Sequence, residues 1–231
     1  MWSILKIKFG SKALNTTSIR LNFLLPLLLL SPLAASIEVK ILDINNAPVN
    51  AVAVYIESDN NPTTTSVASS ENVQTISQKN KMFQPYITII QKGSVVNFDN
   101  QDDITHHIYS AIGKNKFSFK IHAKDKAKQL PFNYEGSVPM GCNIHDWMSG
   151  HILVVDTPYY GLTNKQGTVS FSTQINNGTI KVWHPQLSKQ DNAIETNFDN
   201  TNSTITIKLK HQMKEIPKQE SLDDFDFLDD Y

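Results

Sequence analysis

After Arg20 the chain contains no arginine, and cysteine occurs once in its 231 residues, at Cys142. A single thiol cannot close an internal disulfide, so it is buried and inert, paired with another chain, or bound to a metal. Without arginine the chain lacks the planar, bidentate group best suited to phosphate, and its formal net charge is −1, so a nucleic-acid partner is not expected. Nucleophile elbow, phosphate loop and metallopeptidase signature are all missing from the sequence, and with them the usual sequence marks of an enzyme. There is no helix-period apolar run of any length and no internal repeat, which excludes bundles and solenoids.

What is present begins with an export pattern. Lys6, Lys8, Lys12 and Arg20 precede the apolar run Leu21 to Leu30, and Ala34-Ala35-Ser36 supplies the small residues of a cleavage point. Residues 1–36 are therefore expected to be a secretory signal, with the mature protein in the periplasm. The run is interrupted by Pro26 and falls well short of the ~20 apolar residues of a membrane helix, so no stable membrane anchor is expected. Removal of the leader takes four of the 21 basic residues and none of the 22 acidic ones, leaving a mildly acidic chain. Its length of about 195 residues suits one good core or two small ones.

The rest of the chain alternates in the manner of strands. Ile37-x-Val39-x-Ile41 and Val52-x-Val54-x-Ile56 flank a turn with Asn45, Asn46 and Pro48, and a Ser/Thr/Asn-rich linker follows from Ser58 to Asn72. Alternation returns from Val73 through Val95-x-Asn97-x-Asp99, His106 to Tyr109, Phe117 to Ile121 and Gly150 to Val155. It continues at Val169-x-Phe171, Ile180-x-Val182 and Ile205-x-Ile207-x-Leu209. Asn176-Asn177-Gly178 carries a hairpin-turn signal, and Asn197 to Asn202 reads as a loop. Short strands at this spacing predict an all-β sandwich. The tail, 211–231, ends in Asp223-Asp224-Phe225-Asp226-Phe227-Leu228-Asp229-Asp230-Tyr231 and is expected to be disordered on its charge density.

The chemistry concentrates in Gly141-Cys142-Asn143-Ile144-His145-Asp146-Trp147-Met148, where a thiolate, an imidazole and a thioether share one short loop between two predicted strands. Two histidines and a cysteine in a plane with a long axial methionine form the ligand set of blue-copper centres, so copper is the expected cofactor and one histidine must come from elsewhere. Structural zinc draws on several Cys or His ligands and no methionine, which disfavours it. His106-His107 is the source of the second histidine; the two are adjacent in a predicted strand, so only one can face the interior. His122, His151, His184 and His211 have no partners at ligand spacing, although His151 alternates with Ile152 and Val154 near the loop. The acids Asp102-Asp103 read as a solvated turn.

These motifs resemble a known family. Val95-Val96-Asn97-Phe98-x-Asn100-x-Asp102-x-x-x-His106-His107, followed by Gly141 to Met148, is similar to the cupredoxins of the plastocyanin and amicyanin type. Within them it resembles a periplasmic group labelled as methylamine-utilisation proteins. The resemblance covers Thr75 to Thr157 and implies a Greek-key cupredoxin sandwich over 75–157 that binds copper through His106, Cys142, His145 and Met148. In the family the upstream ligand sits in a His-Asn-apolar sequence; His106-His107-Ile108 matches it with His107 in the asparagine position. Residues 37–57 and 160–210, with Asn164-Lys165-Gln166-Gly167 as a turn, resemble a small sandwich of the transthyretin or carboxypeptidase-regulatory kind, into which the copper domain is inserted. The implied work is one-electron transfer with a redox protein partner that docks transiently, with no enzyme activity of its own. The alternative is a periplasmic copper carrier or sensor without a redox partner. Asn143 and the backbone around Asn97 are candidates for the groups that orient the ligands.

Overall fold

A computed structural model describes residues 36–58, 73–172, 177–199 and 204–220. The expected leader up to residue 35, the linker from 59 to 72 and the last eleven residues of the acidic tail lie outside the described residues. Alternating apolar residues form strands almost everywhere else. In chain order these are β1 Ser36–Leu42, β2 Ala53–Glu57, β3 Gln74–Lys79, β4 Met82–Gln84, β5 Ile87–Gln91, β6 Val95–Asn100, β7 His106–Ser110 and β8 Phe117–Ile121. They continue as β9 Lys128–Pro131, β10 Gly136–Cys142, β11 Ser149–Val155, β12 Tyr160–Leu162, β13 Thr168–Ser172, β14 Asn177–Trp183, β15 Glu195–Asp199 and β16 Thr204–Lys208. A single 3-10 turn, Asp191–Ala193, is the only helical element among the described residues. The fold is all-β.

Four sheets pack in two pairs. One pair has the orders β13-β1-β16 and β12-β2-β14-β15, and its core holds Ile37, Val39, Ile41, Val54, Ile56, Ile180 and Val182. The other has the orders β5-β11-β10-β7-β8 and β4-β3-β6-β9 around Ile76, Phe83, Phe98, Ile108, Phe132 and Ile152. Each fully buried side chain of this size contributes about 1.5–3 kcal/mol. Residues 36–57 thus pair with partners beyond residue 160: Val39 faces Val169 in antiparallel β13 and Ile205 in parallel β16, and Val54 faces Val182 of β14. No strand of 74–155 enters these two sheets.

Two turns show why the first pair closes. Asp43 Oδ1 accepts the N–H groups of Asn45 and Ala47, and Asn164 Oδ1 accepts those of Gln166 and Thr168, side-chain turns that Asp and Asn form readily. Gly167 ends the second at φ +71 and gives its carbonyl to Ile41 N–H at 2.8 Å.

Two local expectations are corrected. Asn177 and Gly178 lie inside β14, opposite Asp199 and Phe198, rather than at a hairpin turn. Gly178 is there because a Cβ would stand 2.7 Å from Glu57 O, so the glycine marks a close approach and not a bend. Of the loop expected at 197–202, residues 197–199 belong instead to the strand β15, carried by the buried Phe198 that the polar neighbours hid, and 200–202 lie outside the described residues. Lys128–Pro131 pairs with β6 although its only large apolar residue is Leu130.

The tail within 211–220 has neither strand nor helix, yet it is tied down. Lys214 N–H reaches Gln186 O, and the Gln219 side chain accepts from Phe83 N–H at 2.9 Å and donates to Phe83 O at 3.2 Å. It imitates a strand residue on the open edge of β4.

Candidate metal centre

Three backbone segments deliver the donors. β6 turns Val96, Phe98 and Asn100 inward and β7 turns His106, Ile108 and Ser110 inward, the ordinary two-residue pleat. His106 is thereby fully buried, while His107 points to the other face and bonds Ser118 Oγ at 2.9 Å. Cys142 is the last residue of β10 and pairs with Ile108; Gly141 pairs with both Tyr109 and Ser149. The loop 142–148 is therefore a closed hairpin end. Inside it Met148 N–H returns to His145 O at 3.1 Å. A Cβ at Gly141 would meet the Tyr109 ring at 3.2–3.3 Å, a tight fit.

Cys142 Sγ lies 3.8 Å from His106 Nδ1 and 3.7 Å from His145 Nδ1. The three donor atoms all lie within 4.8 Å of one another, and all three residues are buried. The two rings stack obliquely with centroids 4.9 Å apart, and Trp147 sits 5.3 Å from the His145 ring. Met148, 1% exposed, belongs to the same apolar cluster as Cys142. His145 is the most accessible of the four at 8%, beside the exposed Ile144.

The electrostatics favour an ionised sulfur. Burial pushes the Cys142 thiol up, but hydrogen bonds from His106 and from the backbone at Ile144, His107 and His145 outweigh it and bring it down to about 6. Burial works to lower the His106 ring; its hydrogen bonds to Cys142 and Asp102 outweigh that and leave it raised. The site therefore sets a thiolate against an imidazole that holds its proton, and protons of this kind are what a bound cation displaces.

The neighbours are specific. Asn143 N–H reaches His107 O at 3.0 Å and its side chain meets His107 Nδ1 at 3.2 Å, which ties the loop to β7. The Asn97 side-chain Oδ1 is buried without a hydrogen-bond partner. Asn100 takes the orienting role, holding Ile104 O, Ile121 O and Asp102 N–H. Asp102, read from sequence as solvated, accepts from His106 Nε2 at 2.9 Å with a side chain only 11% exposed. The four-residue spacing from Asp102 to His106 was its only sequence signal. His151 lies away from the donors, edge-on to Tyr86 and Trp183.

The donor set fits a soft, thiolate-accepting ion with imidazole co-ligands. A thiolate, an imidazole and a carboxylate in line also occur in nucleophilic triads. Here, however, the sulfur is 3% exposed and a second imidazole occupies its other flank.

No family model matches the sequence, and no curated protein matches it. Solved structures are similar to part of the chain. Amicyanin from Paracoccus versutus aligns at 19% identity and TM-score 0.34, covering 44% of this chain and 97% of its own. A purple cupredoxin from Nitrosopumilus maritimus aligns at 22% identity and TM-score 0.32, covering 36% and 99%. A copper-containing nitrite reductase from Thermus scotoductus aligns at 24% identity and TM-score 0.34 over 36% of this chain, which spans 22% of the reductase.

Proposed function

We propose that the protein is a copper protein of the cupredoxin type that carries single electrons, with residues 75–157 as the copper domain inserted in a sandwich of 37–57 and 160–210. The observation that carries this reading is the convergence of His106 Nδ1, His145 Nδ1 and Cys142 Sγ within 4.8 Å in a buried pocket of the chain. Copper held there would supply a one-electron Cu(I)/Cu(II) couple. The chain's own residues do the rest. Cys142 presents a thiolate at neutral pH, and β7 and β10, paired at Ile108 and Cys142, hold His106 and the sulfur at a fixed spacing. Met148, buried in the same cluster as Cys142, would be the fourth ligand. Rigid donors keep the reorganisation between the two oxidation states small. His145 reaches nearest to solvent and is flanked by Ile144 and Trp147, so its ring is the way out for the electron and that apolar rim is where a partner docks. Redox encounters use small, transient interfaces. The chain acts as a carrier and not a catalyst, in the periplasm that its N-terminal pattern addresses.

The test is to load the mature chain with copper and record optical and paramagnetic spectra beside Cys142→Ser. The native protein is expected to show strong visible thiolate-to-copper absorption, and the variant to lose it while staying folded. A native protein that holds only Cu(I), stays colourless and exchanges the ion readily is the carrier instead.

A further inference from the structure

We propose that Asp102 and the β3–β4 turn form one positioning device, which locks the His106 ring with Nδ1 toward Cys142 and biases the site toward its oxidised state. The inference rests on the copper reading above.

The turn is an unusual structure with an evident purpose. Asn80 and Lys81, the two residues between β3 and β4, stand at φ 55 and φ 57. Left-handed backbone is unfavourable for most residues with a Cβ and tolerated best by glycine and asparagine. A two-residue hairpin of this hand requires it at both positions, and Asn-Gly or Asp-Gly is the usual choice. Lysine at the second position is therefore paid for elsewhere. Both turn N–H groups converge on one carboxylate: Asn80 N–H reaches Asp102 Oδ1 at 2.6 Å and Lys81 N–H reaches Oδ2 at 3.0 Å. Asp102's own N–H is held by Asn100 Oδ1 at 3.0 Å. The amide of Asn100 in turn grips Ile104 O at 2.8 Å and Ile121 O at 3.2 Å. Strands β3, β6 and β8 thus all bear on where this carboxylate sits.

That carboxylate faces one further group, His106 Nε2, at 2.9 Å. A carboxylate can only accept, so Nε2 carries a proton, and Nδ1, which faces Sγ 3.8 Å away, is the ring nitrogen left for a bound ion. Ring orientation and tautomer are set together. The negative charge behind the ring also makes the imidazole a stronger donor, which favours the more highly charged ion. His145 has no hydrogen bond to its second ring nitrogen among the described residues, and only ring contacts with His106 and Trp147 steady it. The two imidazoles are therefore unequal: one is held by a carboxylate, and the other, the more accessible of the two at 8%, only by ring contacts.

The experiment compares the native chain with Asp102→Asn, Asp102→Glu and Asp103→Asn. Asp103 is exposed and one residue along, so its neutralisation makes the same charge change without touching His106. In the zinc-loaded native protein, ring-nitrogen NMR is expected to show His106 protonated at Nε2 with that proton exchanging at least tenfold slower than the proton of His107. In the copper-loaded protein at a fixed ambient potential, Asp102→Asn is expected to raise the Cu(I) to Cu(II) ratio about 10-fold or more. Asp102→Glu should restore part of the difference, and Asp103→Asn should leave it unchanged. An Nδ1-protonated or fast-exchanging His106 in the native protein overturns the proposal, whether or not the variants fold. So does an equal shift in Asp103→Asn, which would reduce the effect to overall charge. A native chain that binds no copper overturns the functional reading alone, because the zinc-loaded ring spectrum still decides the Asp102–His106 pair.

Discussion

His184 is fully buried, and its two ring nitrogens are in opposite situations. Nδ1 accepts Gln186 N–H at 3.1 Å, so the ring proton is on Nε2, which has no partner. Burial first, and the neighbouring His151 second, push its pKa down to about 4, against about 6.5 in an unfolded chain. The unfolded state therefore binds the proton first as pH falls. Stability from this residue is complete above pH 6.5, drains away between there and about 4, and is flat below. The full loss is roughly 3 kcal/mol. Urea titrations from pH 7 to pH 4 should show this slope in the native protein and a shallower one in His184→Gln. An unchanged slope would mean other groups govern acid sensitivity.

At the scale of elements, much of the work is done by turns that fix strands at a distance. Gly167 is the clearest case, since it joins left-handed backbone to a close approach. At φ +71 a Cβ would stand 2.6 Å from Ile41 O and 3.0 Å from Val49 N. Backbone atoms cannot swing aside as a side-chain end can. Gly167→Ala is expected to destabilise the fold by about 2 kcal/mol or more, from conformational strain and overpacking together. If the proposed site binds copper, the folded fraction should keep the spectrum of the unmutated protein, because β13 and the β1 edge lie in the other sandwich. Denaturation midpoint and visible absorption, read on the same samples, separate the two effects. The hairpin end 142–148 works in the opposite sense, with its rigidity invested in the donors rather than in the sheet.

Across the whole molecule the two sandwiches share a third apolar cluster. Ile89, Leu153 and Val155 from β5 and β11 meet Ala53, Tyr55, Tyr160, Leu162 and Trp183 from β2, β12 and β14. A hydrogen bond from Gln186 Nε2 to Tyr86 OH at 2.9 Å crosses the same boundary. A contact of this kind makes two cores melt as one. The native protein is expected to melt in one calorimetric transition, and Leu153→Ala to cost about 2–5 kcal/mol and to split that transition into two. Retention of one sharp transition at a lower temperature would show that the cores are coupled by some other route, such as the tail residues that bridge Gln186 and Phe83.

The amino-acid order alone settled what is local. Alternation along Ile37 to Ile41 states strand and inward face within a few residues, and that along Val95 to Asp99 states a strand, whose inward residues are the intervening Val96 and Phe98, so the all-β class was legible. The spacing Cys142-x-x-His145-x-x-Met148 put three soft donors on one loop for the same reason. Where partners lie far apart in the chain, only the tertiary structure could decide. His106 over His107 depends on which face of β7 meets the core, and the role of Asp102 depends on a turn 22 residues upstream. The pairing of β1 with β13 and β16 joins residues more than a hundred positions apart. Glycine 178 looked like a bend because sequence shows a missing side chain but not the carbonyl of Glu57 that requires it to be missing. Pleat and donor type are properties of a short stretch of chain; register, burial and the company a carboxylate keeps are properties of the packed whole.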